Sequence, residues 1–138
     1  MASAPSASPP PSTRTRGLAV EACVAELLDR HDLVVVARNV AIAGAEIDLI
    51  ATTRESPESR EALVVFVEVR SRADDLRGHP LETISATKRA HIVRAATAWL
   101  VREDLWEKVA VRFDVIGVVA PDSPTPDVVW IRGAFDAT

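Results

Sequence analysis

Apolar residues in this chain fall into runs of two periods, and the order of those periods predicts the architecture. From about Gly17 to His31 (GLAVEACVAELLDRH) Leu18, Ala22, Ala25 and Leu27 or Leu28 recur at helical spacing, with Glu21, Glu26, Asp29 and Arg30 on the other side. Leu33–Asn39 (LVVVARN) is rich in β-branched residues and reads as a first strand. A short Gly-containing link leads to a second strand, about Ala45–Thr52. The charged segment Thr53–Glu61, with Pro57, reads as an exposed loop, and Ala62–Ser71 as a third strand that completes a meander. Asp74–Pro80 is a polar loop. A second helix is expected over about Thr83–Arg102, with Ile84, Ile92, Ala95, Ala96 and Trp99 on its apolar face. Val109–Val119 is a fourth strand carrying Arg112 and Asp114; a Pro-rich loop, a short strand Val128–Arg132 and a tail with Phe135 follow.

The resulting order, α-β-β-β-α-β-β, implies a central mixed β-sheet of about five strands flanked by helices, in the α/β or α+β class. Residues 1–15 (MASAPSASPPPSTRT) hold Ala, Ser and Pro without apolar periodicity. Such a composition buries too little surface to offset its ordering entropy, so a disordered tail is expected there, with one domain over 16–138.

Composition narrows the function classes. A chain of 138 residues that is 48% hydrophobic and 26% charged suits one globular domain. Its single cysteine, Cys23, excludes an internal disulfide and fits a buried helix residue in a reducing compartment. No apolar run approaches a membrane span, and the first residues lack the pattern of a secretory signal, so a cytoplasmic protein is expected. The formal net charge of −4 argues against nonspecific coating of nucleic acid. Yet between Arg70 and Arg102 there are seven Arg/Lys against three Asp/Glu. That local surplus suits a phosphate-contacting face and equally an ordinary solvated helix.

Chemistry enters where charge interrupts the apolar strands. Glu46 and Asp48 are two residues apart on the second strand, and Glu68 and Arg70 two apart on the third. Strand geometry puts i and i+2 on one face, among core residues such as Ile47, Leu49, Phe66 and Val67. Removing one carboxylate from water costs several kcal/mol, against a whole-domain stability of only ~5–15 kcal/mol. Three carboxylates against one arginine therefore need a wet cleft or a shared cation. Asp48 and Glu68, with the carbonyl of Val69 beside them, would suit Mg²⁺, which accepts one or two carboxylates and completes its shell with water and substrate phosphate. Glu46 or Glu21 would supply a further acid or hold water. The same spacings also occur in surface ladders and structural ion pairs, so both readings stay open on spacing alone. No Gly-rich phosphate loop, nucleophile elbow or Cys/His zinc spacing competes. His31, His79 and His91 read as surface or loop residues, and Trp99, Trp106 and Trp130 as core or edge anchors.

The segment Gly44-Ala-Glu-Ile-Asp48-Leu-Ile, followed by Val65-Phe-Val-Glu68-Val-Arg70-Ser-Arg72, resembles the YraN-type bacterial family. That family falls in the restriction-endonuclease-like PD-(D/E)xK nuclease superfamily and is similar to archaeal Holliday junction resolvases. The match continues through Gly17, Glu21, Asn39, Gly78-His-Pro80, Lys88, Ala95, Arg112-Phe-Asp114 and Ala134-Phe135. The resemblance implies a restriction-endonuclease-like fold and a metal-dependent endonuclease acting on DNA, branched or otherwise structured, with Mg²⁺ or Mn²⁺ as cofactor. It makes Asp48 and Glu68 the metal-binding acids, Arg70 the occupant of the family's lysine position and Glu21 the acid of the first helix. Lys88, Arg89 and Arg72 would contact the nucleic-acid backbone, and a two-fold-symmetric junction would favour a homodimer. Three positions depart from the family pattern: Ala45 where glycine is usual, Val20 at a second glycine position, and Arg70 itself. Arginine stays charged at any working pH and cannot serve as a base, although it can orient water or stabilise phosphoryl charge. A nuclease-like fold acting as a non-catalytic nucleic-acid- or protein-binding module is the alternative.

Overall fold

The computed structural model describes residues 13–54, 62–72, 84–119 and 127–137, with residues 13–19 in backbone only. The segment 1–12 and the expected loops over 55–61, 73–83 (with Gly78, His79 and Pro80) and 120–126 lie outside the described residues.

Among the described residues, two helices and five strands follow in the order α1 (Thr13–Arg30), β1 (Leu33–Ile42), β2 (Ala45–Thr53), β3 (Leu63–Arg72), α2 (Ala86–Arg102), β4 (Ala110–Val119) and β5 (Asp127–Phe135). The strands form one mixed sheet in sequential order, β1-β2-β3-β4-β5. Pairing is antiparallel for β1·β2, β2·β3 and β4·β5, and parallel for β3·β4. A parallel neighbour needs a crossover rather than a hairpin, and α2 provides it. This is the α/β arrangement expected from the hydrophobic pattern, and it is consistent with a nuclease-like fold.

Both faces of the sheet are covered. Val20, Val24 and Leu28 of α1 pack on Leu49, Ala51, Val65, Val67, Ile116 and Val118. Ile92, Ala95, Ala96, Trp99 and Leu100 of α2 pack on Ile47, Ile50, Val64, Phe66 and Phe113. Successive residues of a strand point to opposite faces, so the alternation of Val64, Val65, Phe66 and Val67 between these clusters places the helices on opposite sides. β3 is therefore buried on both faces, which is why it reads as an unbroken apolar run. Phe66 anchors the α2 side, edge-on to Trp99 at 5.8 Å between centroids and stacked on Phe113 at 5.6 Å.

Four sequence expectations are corrected. The first helix starts at Thr13, so residues 13–15 of the expected tail are helical. Its buried face is Val20-Val24-Leu28 rather than the stripe through Ala22 and Ala25, and Ala22 is exposed. Small apolar residues surround this helix on nearly every side, so periodicity cannot choose a face; the larger valines and leucine bury more area per residue. The second helix begins at Ala86, not near Thr83, because the Ser85 side chain accepts the Lys88 backbone N–H at 3.1 Å and caps it there. The last strand runs on to Phe135, whose ring stacks on Phe113 at 5.0 Å. Gly133, at φ 60°, masks that continuity in the sequence and takes up the register shift opposite β4.

At that shift Asp114 is fully buried, and every donor it needs is in place. Arg112 donates to both carboxylate oxygens at 2.8 Å, Trp130 Nε1 to one at 2.9 Å and the Gly133 N–H to the other at 2.9 Å. The charges on β4 are thus a structural clamp between strands. Trp99 is buried and Trp130 packs partly buried against the core, as expected, while Trp106 is about half exposed.

A candidate metal centre at the parting of two strands

The β2·β3 ladder ends at Leu49↔Val67, one residue short of Asp48 and Glu68. Beyond that pair the Asp48 side chain replaces the next ladder contact: its Oδ2 accepts the Val69 backbone N–H at 2.8 Å. Pairing with β1 also skips this point, running from Arg38↔Leu49 to Val40↔Ile47. Asn39, the residue passed over, has φ 49°, a left-handed conformation that asparagine tolerates better than most residues. The backbone is therefore irregular on both sides of Asp48, and its carboxyl is held at the mouth of the opening between β2 and β3.

Glu68 meets it there. The Glu68 carboxyl lies close enough to act on that of Asp48, and Glu68 is only 6% exposed. Lys88, in the first turn of α2, places Nζ 2.6 Å from Glu68 Oε1; Arg70 Nε lies 3.7 Å from the same oxygen. Burial, foremost, and the negative charge of Glu68 push the Asp48 carboxyl up to about 7; the Glu68 hydrogen bond acts in the same direction, against the Val69 hydrogen bond and the Lys88 charge. Asp48 thus holds its proton more readily than an ordinary aspartate. Asp114 differs in kind, since it is surrounded by donors, whereas Asp48 and Glu68 are turned toward each other.

The pair lines an open cleft of about 520 Å³ with Glu46, Ser85, Lys88 and His91. Asp48 and Glu68, the expected metal acids, are therefore brought together, and Arg70 reaches Glu68 from its own strand. Glu46 shares the cleft wall and is exposed. Val69 joins the site through its N–H to Asp48.

Other expected site residues lie elsewhere. Glu21 does not line the cleft: its Oε2 accepts a hydrogen bond from Asn39 Nδ2 at 3.3 Å. Arg89 follows Lys88 by one helical step, about 100° around the axis, and so faces a different cleft. That neighbouring cleft, about 560 Å³, is lined by Arg89, Arg94 and Phe135 among others, and the Arg89 guanidinium lies 5.9 Å from the Phe135 ring centre. The Arg72 side chain lies outside the described residues. His91 was not expected at the site. The signal for it was the i, i+3 spacing from Lys88, which puts both on one helix face.

Among the described residues no three His, Cys, Asp or Glu side chains are grouped closely enough to hold an ion by themselves. Two neighbouring carboxyls with open cleft space suit a cation that keeps much of its water, which is the habit of Mg²⁺, and do not suit a closed protein cage.

Comparison with known proteins agrees with the extent of these motifs. The chain is 37% identical over 125 residues to a UPF0102 protein of Marinobacter nauticus, covering 91% of this chain and 95% of the relative. It is 40% identical over 125 residues to a UPF0102 protein of Chromohalobacter salexigens, covering 91% and 94%. A UPF0102 protein of Anaeromyxobacter sp. is 37% identical over 123 residues, with 89% and 86% covered. The sequence profile described as "Uncharacterised protein family UPF0102" matches residues 20–118, which include α2, Asp48, Glu68 and Lys88. The chain belongs to the UPF0102 family.

Proposed function

We propose that this protein is a Mg²⁺- or Mn²⁺-dependent endonuclease that hydrolyses phosphodiester bonds in DNA, with branched or otherwise structured DNA as its substrate. One observation carries the reading: two carboxyls from adjacent strands meet in an open cleft with cationic side chains at their edge. A structural ion pair has no need of a second acid against the first. A divalent ion held there would polarise a phosphoryl oxygen and lower the pKa of a bound water. Asp48 and Glu68 are the residues that hold it, and the Val69 N–H fixes the Asp48 carboxyl in place. Arg70 cannot take a proton from water; it orients the phosphate or offsets the charge that develops on it. Lys88 is the other cation within reach of the phosphate, at the lip of the same cleft.

The test is cleavage of junction, flap and duplex DNA with Mg²⁺ or Mn²⁺, comparing wild type with Asp48→Ala and Glu68→Ala. Loss of at least about 10²-fold in rate is expected in both variants, the usual scale for removing a charge-stabilising group. Equal rates in all three proteins would refute the assignment. Two observations favour the alternative of a non-catalytic nucleic-acid- or protein-binding module: the family's lysine position is Arg70, and Glu21 is not in the cleft. That reading expects no cleavage with any metal and DNA binding that survives Asp48→Ala.

A further inference from the structure

Lys88 occupies an unusual position for a residue that serves only to meet phosphate. Its ammonium is 2.6 Å from Glu68 Oε1, a charge-assisted contact at the carboxylate proposed to bind the metal. The contact is not accidental to the surface. Ser85 caps α2 through the Lys88 backbone N–H, fixing the first turn and with it the origin of the lysine side chain. Glu68 is buried on a strand packed on both faces, so neither end of the contact is carried by a loop.

We infer that Lys88 is a built-in counter-ion that holds the Glu68 carboxylate until a divalent cation displaces it, and that the displaced ammonium is then presented to the phosphodiester. The inference rests on the metal-centre reading above. An ion bonded at about 2.1 Å to the oxygen that Lys88 now holds at 2.6 Å would lie within about 4.7 Å of the ammonium. Like charges that close, at the edge of a low-dielectric core, repel strongly, so the ion and Lys88 exclude one another from Glu68. The lysine stem can withdraw toward solvent, because its side chain is 42% exposed. Arg70 lies farther from the same oxygen, at 3.7 Å. Three consequences follow from one contact. Glu68 stays partnered without metal, metal binding carries the cost of breaking an ion pair, and a free cation appears in the cleft only when the metal is present.

The experiment is calorimetric titration of the full chain with Mg²⁺ and with Mn²⁺ alone, without DNA, for wild type, Lys88→Met and Asp48→Ala. Lys88→Met is expected to bind the ion about tenfold more tightly than wild type, and Asp48→Ala to lose binding. Equal or weaker binding by Lys88→Met overturns the counter-ion role while leaving the metal centre standing. No binding by any of the three overturns the metal centre itself, and the inference with it. If Lys88→Met does not fold, the wild type gives a second measurement. The chain has only two lysines, Lys88 and Lys108, so the ε-methylene resonances of labelled lysine form a two-signal spectrum. Lys108, paired with Asp104 at 3.0 Å, is the internal reference. Metal addition is expected to move the Lys88 signal and leave the Lys108 signal in place. Metal binding with neither signal moved overturns the displacement.

Discussion

At the residue scale, two strand carboxylates, Asp114 buried and Asp48 half-buried, show how surroundings assign opposite tasks to one chemical group. Asp114 has a donor for each lone pair it needs and stabilises the β4·β5 register. Asp48 has one backbone donor and a second acid, and its carboxyl is pushed up to about 7, by burial first and by Glu68 next. An acid that holds its proton more tightly in the folded than in the unfolded chain weakens the fold as pH rises between those two pKa values. For Asp48 that window runs from its ordinary value of 3.8 to about 7. Urea unfolding of metal-free protein at pH 5 and pH 8 should therefore show a larger pH-dependent loss in wild type than in Asp48→Asn. The difference should be on the order of a few kcal/mol at most. Added Mg²⁺ should raise the melting temperature more at pH 8 than at pH 6, because its ligands must be deprotonated. A parallel pH dependence in the two proteins would show that Asp48 does not titrate in this window.

At the scale of elements, the site depends on where strands and helices start and stop. β1 and β2 are joined by a two-residue turn in which Ala43 (φ 52°) and Gly44 (φ 76°) are both left-handed, the form that matches the twist of a hairpin. Glycine takes that conformation freely, but alanine pays about 1–2 kcal/mol for it. Ala43→Asn should raise the unfolding free energy by about 1 kcal/mol, since asparagine favours this turn position, with the same denaturant slope. Stability unchanged or lowered would mean that the turn is not of this type in solution. The hairpin fixes the register of β2, and a one-residue slip would turn Asp48 away from Glu68. α2 contributes in the same way: the Ser85 cap sets the phase of its first turn, placing Lys88 and His91 in one cleft and Arg89 in the next.

For the whole molecule, the site lies where a sheet covered on both faces comes apart. β3 is packed between α1 and α2, so its path is rigid, and Glu68 leaves it with little freedom. Phe66 anchors that path through Trp99 and Phe113. Phe66→Ala should cost about 3–5 kcal/mol of stability by denaturant titration, the range for deleting a buried aromatic ring. A loss below about 1 kcal/mol would contradict such close packing. No described helix is long and apolar enough to cross a membrane.

The sequence by itself determined the element order, the helix-to-strand alternation and the identity of the two central acids. Those signals are local: a period of two or of 3.6, and a charge in an apolar strand. It did not decide which face of α1 is buried, because small apolar residues encircle that helix. Nor did it separate Asp114 from Asp48, because both are acids in apolar strands and only their spatial neighbours differ. Tertiary structure decided those points. The end of the β2·β3 ladder set two carboxyls against each other, the crossover brought Lys88 from a helix 20 residues farther along onto Glu68, and the phase of α2 took Arg89 away. The physical reason is common to all three: desolvation and charge pairing act through distances of a few ångströms, and chain folding, not spacing along the sequence, sets those distances.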